Sequence, residues 1–156
     1  MATDFLLWAS AALLGLVMGS FLNVVIYRLP RMLETQWAEA IHEQNPDTST
    51  NRLTPKPFNI AIPGSHCPHC GHVLSWYENI PVLSYLALQG RCSQCHTAIG
   101  WRYPVIELVT SALFVWSFSR YGLSGAALAW AGFAAALLTL AAIDADTTLL
   151  PDAITQ

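Results

Sequence analysis

Two groups of residues in this 156-residue sequence have types and spacings that can do chemistry. The first is Cys67-Pro-His-Cys70 with Cys92-Ser-Gln-Cys95, which together hold all four cysteines of the chain. Two C-x-x-C turns brought face to face supply four soft thiolates in a tetrahedral shell, the coordination that structural Zn²⁺ sites use. Gly71, directly after Cys70, suits a tight turn whose backbone N–H groups point at the sulfurs. The competing readings are a pair of disulfides and a redox-active C-x-x-C, and both need an oxidant or a thioredoxin-like setting. His66, His69, His72 and His96 crowd the same segments. Four thiolates already close a tetrahedral shell, so these imidazoles read as solvated groups or as supports around it.

The second group is carboxylic. Asp144, Asp146 and Asp152 follow directly on an uncharged apolar run. Aspartic proteolysis needs two carboxyl groups close enough to share one proton and one water. On a continuing helix Asp146 lies about 200° around from Asp144, and Asp152 about 12 Å further along the axis. Neither completes a dyad with Asp144 by helical geometry. Asp146 reads as a group that solvates the end of the run, and Asp152, beside Pro151, as turn or cap chemistry.

These groups must be positioned by elements that the composition places in a bilayer. The chain is 54% hydrophobic and 11% charged, with a mean hydropathy of +0.41. A net charge of −3 offers no broad basic surface, which argues against nucleic acid as a partner. Phe5 to Tyr27 is 23 residues without a charge, about 35 Å as a helix and enough for the ~30 Å hydrocarbon core. Asp4 precedes this run and Arg28 and Arg31 follow it, the flanks of a retained anchor rather than of a cleaved signal peptide. Leu123 to Ile143 is a second uncharged run, of 21 residues. Between them, Tyr103 to Phe118 is shorter and contains Glu107; it is expected to span, with a re-entrant helix as the alternative. Glu107 either faces a cavity near the cysteine segment or pairs with Arg102, while Ser20 and Asn23 read as interhelical hydrogen-bonding groups.

The expected fold is therefore an all-α polytopic membrane protein with a small cytoplasmic zinc-knuckle domain between spans one and two. Residues 1–30 form the first span, 31–102 the cytoplasmic segment, and 103–156 a hairpin of two spans. Arg28, Arg31, Arg91 and Arg102 flank the cysteine segment and place it inside, with the N-terminus and the Ser119–Gly122 connection outside. Arg120 is the charge that runs against this rule. Arg31 to Pro57 is polar, punctuated by Asn45-Pro46-Asp47 and Thr54-Pro55-Lys56-Pro57. It is either a linker or, through Trp37, Ala40 and Ile41, a short amphipathic helix on the membrane surface.

Taken in order, Gly19-Ser-Phe-Leu-Asn-Val-Val-Ile-Tyr-Arg-Leu-Pro30, the two cysteine pairs, Glu78-Asn-Ile-Pro81, Tyr103-Pro104 with Glu107, and Ile143-Asp-Ala-Asp-Thr-Thr-Leu-Leu-Pro-Asp152 resemble the prepilin peptidases, or type IV leader peptidases. The resemblance covers essentially the whole chain. It implies a multi-pass enzyme of the bacterial inner membrane that removes the leader of type IV prepilins or pseudopilins. It also implies N-methylation of the new terminus with S-adenosylmethionine. The family's first catalytic aspartate falls on Asp144; its second lies in a Gly-x-Gly-Asp motif that residues 1–156 do not contain, so the chain is expected to lack the C-terminal half that carries it. The alternatives are a non-catalytic zinc-binding membrane subunit and a fragment limited to methyl transfer.

Overall fold

The computed structural model describes residues 2–44 and 59–147. The turn sequences at 45–47 and 54–57, and Asp152, lie outside the described residues. Four α-helices appear in the order α1 (Ala2–Gln44), α2 (Leu83–Ala87), α3 (Arg102–Tyr121) and α4 (Gly125–Thr147), with a 3₁₀ turn at Trp76–Asn79. Among the described residues there is no β-sheet. Extended pairing among these residues is limited to the isolated bridges His66–Val73 and Arg91–Ala98.

Among the described residues two helical stretches are long and apolar enough to cross a bilayer, Phe5–Ala38 and Gly125–Thr147, each with a mean hydropathy of 2.0. Helix α1 does not end at the expected boundary near residue 30. It runs through Pro30 to Gln44, 43 residues or roughly 65 Å. Arg31 folds back along it, donating to the Tyr27 carbonyl at 3.0 Å and lying 3.6 Å from the centroid of the Tyr27 ring.

Helix α3 owes its lower hydropathy to a stripe turned toward its neighbours. Glu107, Thr110, Ser111 and Ser117 are buried on the same helix as Ile106, Phe114 and Phe118. Polar side chains are tolerated at such an interface where they can bond a neighbour rather than face lipid, although the buried Ser117 Oγ has no such partner among the described residues. Thr110 donates to the Ile106 carbonyl at 2.7 Å, Ser111 to the Ala12 carbonyl of α1 at 3.0 Å, and Asn23 of α1 to the Tyr103 carbonyl at 3.0 Å. The reading of Asn23 as an interhelical group holds.

The α1–α3 crossing is built on glycine. A Cβ placed on Gly15 would come within 2.6 Å of the Ser111 Cα, and one on Gly19 within 2.6 Å of the Glu107 Cα. Backbone therefore packs on backbone, as small residues spaced four apart permit. Helix α4 closes the bundle with Ala127, Ala131, Ala135 and Thr139 buried at every fourth position, and leaves Leu128, Trp130, Phe133, Leu137 and Leu140 exposed. The α3–α4 connection is Gly122–Ser124 rather than Ser119–Gly122, because helix α3 persists to Tyr121 and Gly122 turns the chain at φ +61°.

Candidate metal centre and carboxylate site

The cysteine segment folds as two copies of one turn, 25 residues apart. In the first, Cys67 N–H donates to the His72 carbonyl at 2.8 Å, Gly71 N–H to the Cys67 carbonyl at 2.9 Å and Leu74 N–H to the Ser65 carbonyl at 2.9 Å. In the second, Cys92 N–H donates to the Thr97 carbonyl at 2.9 Å, His96 N–H to the Cys92 carbonyl at 3.0 Å and Ile99 N–H to the Gly90 carbonyl at 2.7 Å. Gly71 and His96 occupy matching positions at φ +73° and +56°. The sequence shows the paired cysteines, but the repeat extends on both sides of them through backbone bonds that residue types do not encode.

The two turns bring the four sulfurs within 4.8 Å of one another, so Cys67, Cys70, Cys92 and Cys95 could hold a metal ion. Cys67 and Cys95 Sγ are 3.8 Å apart, and Cys70 and Cys92 Sγ 3.9 Å apart. A tetrahedral ion with ~2.3 Å metal–sulfur bonds has an S–S edge of about 3.8 Å, so the donor set fits Zn²⁺ geometry. None of the four cysteines is in a disulfide. Their electrostatics are uneven. The Thr97 hydroxyl and backbone N–H lower the Cys95 pKa to about 5. The backbone around Cys70 and His69 lowers that of Cys67. At Cys70 the His72 backbone N–H acts downward, but desolvation and the three neighbouring thiols outweigh it and push the pKa up to about 12. Four thiolates this close repel one another, so a cluster without a cation keeps a proton on Cys70 that a dication would displace.

Glu78 was legible only as part of a motif, and it fastens the two turns together. Its carboxylate accepts from the Ser75 backbone N–H at 2.8 Å and from His72 Nε2 at 3.2 Å. Hydrogen bonds from the Ser93 side chain, in the second turn, and from the Ser75 N–H hold its pKa below the ordinary carboxylate value. His72 thus supports the first turn from outside the sulfur shell, and His66 Nδ1 lies 2.9 Å from the Gly64 carbonyl.

Two side chains join this metal domain to the helices. Arg28 of α1 is buried and donates to the carbonyls of Asn59 and Ile60 at 3.0 and 3.2 Å and of Gly64 at 3.3 Å. Glu107 of α3 accepts from the Val82 N–H at 2.7 Å. Val82 is a β-branched residue at φ +59°, a strained conformation held where that carboxylate receives its N–H. Glu107 therefore faces the metal domain rather than Arg102. Above it lies a cavity of about 280 Å³ whose lining includes Ser20, Asn23 and Tyr27 of α1, Glu107 of α3, and Cys67 and Cys92.

The carboxylates of α4 are kept apart. Asp146 pairs with Arg102 Nη1 at the start of α3, and Arg102 Nη2 also donates to the Ala142 carbonyl at 3.4 Å. Expected to be no more than a solvated end group, Asp146 instead ties α4 to α3. Asp144 is half-buried on the same helix, about 200° from Asp146, and is not among the residues lining the 280 Å³ cavity.

With this geometry in hand, the similarities of the chain can be stated. It is 51% identical over 147 residues to a prepilin leader peptidase/N-methyltransferase of Burkholderia pseudomallei, covering 94% of this chain and 48% of that protein. A protein of the same name from Pseudomonas putida is 49% identical over 146 residues, covering 92% of this chain and 49% of its own length. A type 4 prepilin-like proteins leader peptide-processing enzyme of Escherichia coli is 43% identical over 142 residues, 91% of this chain and 50% of that one. The chain spans about half the length of the curated relatives it matches. No solved structure matches it. The bacterial peptidase A24 N-terminal domain matches residues 13–121, which include every cysteine, Arg28, Glu78 and Glu107, and the chain belongs to that family.

Proposed function

We propose that this chain provides the metal domain and the first catalytic carboxylate of a membrane aspartic endopeptidase that cuts the leader from type IV prepilins or pseudopilins and N-methylates the exposed terminus. The observation that carries the reading is identity of about one half, through 94% of the chain, to a protein named for both activities. In this reading Cys67, Cys70, Cys92 and Cys95 hold a structural Zn²⁺ on the cytoplasmic side of the bacterial inner membrane. Helices α1, α3 and α4 all span, with the N-terminus extracytoplasmic. The long apolar α1 and α4, and the interlocking polar face of α3, support this arrangement.

Asp144 is assigned as one member of the dyad. It sits at the polar end of α4, level with the Arg102–Asp146 pair, where the scissile bond of a membrane-anchored substrate would arrive. One carboxylate takes a proton from water as that water attacks the scissile carbonyl. The other, protonated, donates toward the carbonyl oxygen; the C–N bond then breaks and the departing amine is protonated. Asp146 is engaged by Arg102, so the second carboxylate is assigned to a Gly-x-Gly-Asp segment outside residues 1–156. S-adenosylmethionine supplies an electrophilic methyl group when bound.

The test is prepilin cleavage and methylation by this chain alone, by the chain with a separately expressed C-terminal half, and by that mixture carrying Asp144→Asn. Processing by the mixture alone is the expected result. Cleavage by the isolated chain, or by the Asn variant, refutes the assignment of the dyad. A wild-type mixture that binds prepilin without cutting it supports the non-catalytic subunit instead.

A further inference from the structure

A chain with two activities needs two places to carry them out, and the 280 Å³ cavity lies apart from Asp144. Its floor is unusual. Glu107 is buried at 7% exposure, and among the described residues no Lys, Arg or His is paired with it. Its backbone lies hard against Gly19, so the carboxylate is held between α1 and α3 and cannot swing into lipid or water without separating them. A buried carboxylate lacking a cation is costly, and an ionisable group within a spanning helix marks a functional position. Its donors, the Val82 N–H and the Ser20 hydroxyl, are neutral groups that leave its charge uncompensated. The rings of Tyr85 and Tyr103 also line the cavity, and aromatic faces attract onium ions. Arg28 also lines it, with its guanidinium already engaged by the carbonyls of Asn59, Ile60 and Gly64. A buried carboxylate without a cation and tyrosine rings in one small cavity match a ligand that carries an onium centre.

We propose that this cavity binds the sulfonium methyl donor, with Glu107 as the counter-ion of the positive sulfur. The proposal rests on the methyltransferase reading above and adds a place for it. When an amine nitrogen takes the methyl group, the C–S bond breaks, its electron pair stays on sulfur, and the amine gives up a proton. The ligand left behind is a neutral thioether. Glu107 therefore favours donor over spent product, and exchange of one for the other follows from the lost charge.

The experiment uses the full metal-loaded chain in lipid nanodiscs, with S-adenosylmethionine and S-adenosylhomocysteine as probes of nearly equal shape and different charge. Wild type should prefer the sulfonium by about tenfold, and Glu107→Gln should bring the two affinities together. Glutamine keeps an oxygen for the Val82 N–H, so metal content equal to wild type shows that the domain is intact. Val24→Phe, which fills the cavity from α1 and leaves the carboxylate, should weaken both ligands alike. An amine-terminated peptide bound in place of the donor, an undiminished preference in Glu107→Gln, or unchanged binding in Val24→Phe overturns the placement. The function itself is scored separately. Methylation by the wild-type chain joined to its C-terminal half, together with an undiminished preference in Glu107→Gln, sinks the cavity proposal alone; no methylation by that wild-type enzyme sinks both.

Discussion

Gly15, Gly19 and Gly132 allow one chemical change, the addition of a methyl group, to be made at three helical positions with opposite expected signs. At Gly15 and Gly19 the new Cβ would meet backbone at 2.6 Å, whereas at Gly132 nothing lies within 4 Å. Ordinary carbon–carbon contact begins near 3.5 Å, so helices α1 and α3 must part by about 1 Å to admit either methyl. Overpacking of this kind costs about 1–3 kcal/mol, from which up to about 1 kcal/mol is recovered through alanine's better helix propensity. Gly19→Ala should therefore destabilise by about 1–2 kcal/mol, and Gly15→Ala by a similar amount with loss of the Ser111–Ala12 bond. Gly132→Ala should be neutral or stabilising. The double variant at 15 and 19 should cost less than the two singles together, because one separation relieves both clashes. The assay is reversible unfolding in detergent followed by tryptophan fluorescence. Equal stability of Gly19→Ala and wild type, or a loss at Gly132→Ala as large as at Gly19→Ala, would refute the close crossing.

Further outcomes follow from the metal domain and α4. In metal-stripped protein at neutral pH, alkylation read by mass spectrometry should mark Cys95 first and Cys70 last, in keeping with pKa values of about 5 and about 12. The folded-state pKa of Glu78 is depressed, so the stability it contributes is present above the ordinary carboxylate value of 4.5 and is lost as pH falls through the lowered value. Glu78→Gln should accordingly release metal more readily than wild type near neutrality, and the two should converge in acid; a gap that persists in acid would contradict the assignment. Asp144→Asn should abolish prepilin cleavage in the completed enzyme. Asp146→Asn should lower it only a few-fold, because the pair with Arg102 that helps orient Asp144 has both side chains 38% exposed and is worth at most about 1 kcal/mol.

The metal site could be read from the sequence because both ingredients are local: each C-x-x-C places two sulfurs on one turn, and the pairing of two such turns is a small step further. The first and third apolar runs were legible for a similar reason, since length and lack of charge act along one stretch of chain. What the sequence hid is what depends on neighbours. Helix α1 passes Pro30, against the propensity of that residue, and the polar composition that argued for a break there says nothing of helix continuity. Gly15 and Gly19 are ordinary in a hydrophobic run until α3 is laid across them, although their four-residue spacing was the available signal. Glu78 looked like no more than part of a motif, and Asp146 like a solvated carboxylate. Their partners, His72 with Ser93 and Arg102, come from other turns or other helices. Glu107 stood between two readings, and only the position of Val82 decides between them.

Much of the face that α4 turns to the bundle is small: Ala127, Ala131 and Ala135 offer little to catch in a groove, and only Leu138 and Ile143 near its end are longer side chains packed on the core, so its rotation about its own axis is weakly fixed along most of its length. The Arg102–Asp146 contact acts on that helix as a key acts on a shaft. It fixes the angle at one end, and because Asp144 is two residues away, it also fixes the direction in which Asp144 is presented, on the side opposite α3's arginine. A carboxylate that must meet a second one across a helix interface needs its azimuth set more than its depth. Loss of the key would leave the chain folded and the metal in place while the aspartate pointed across a wider arc.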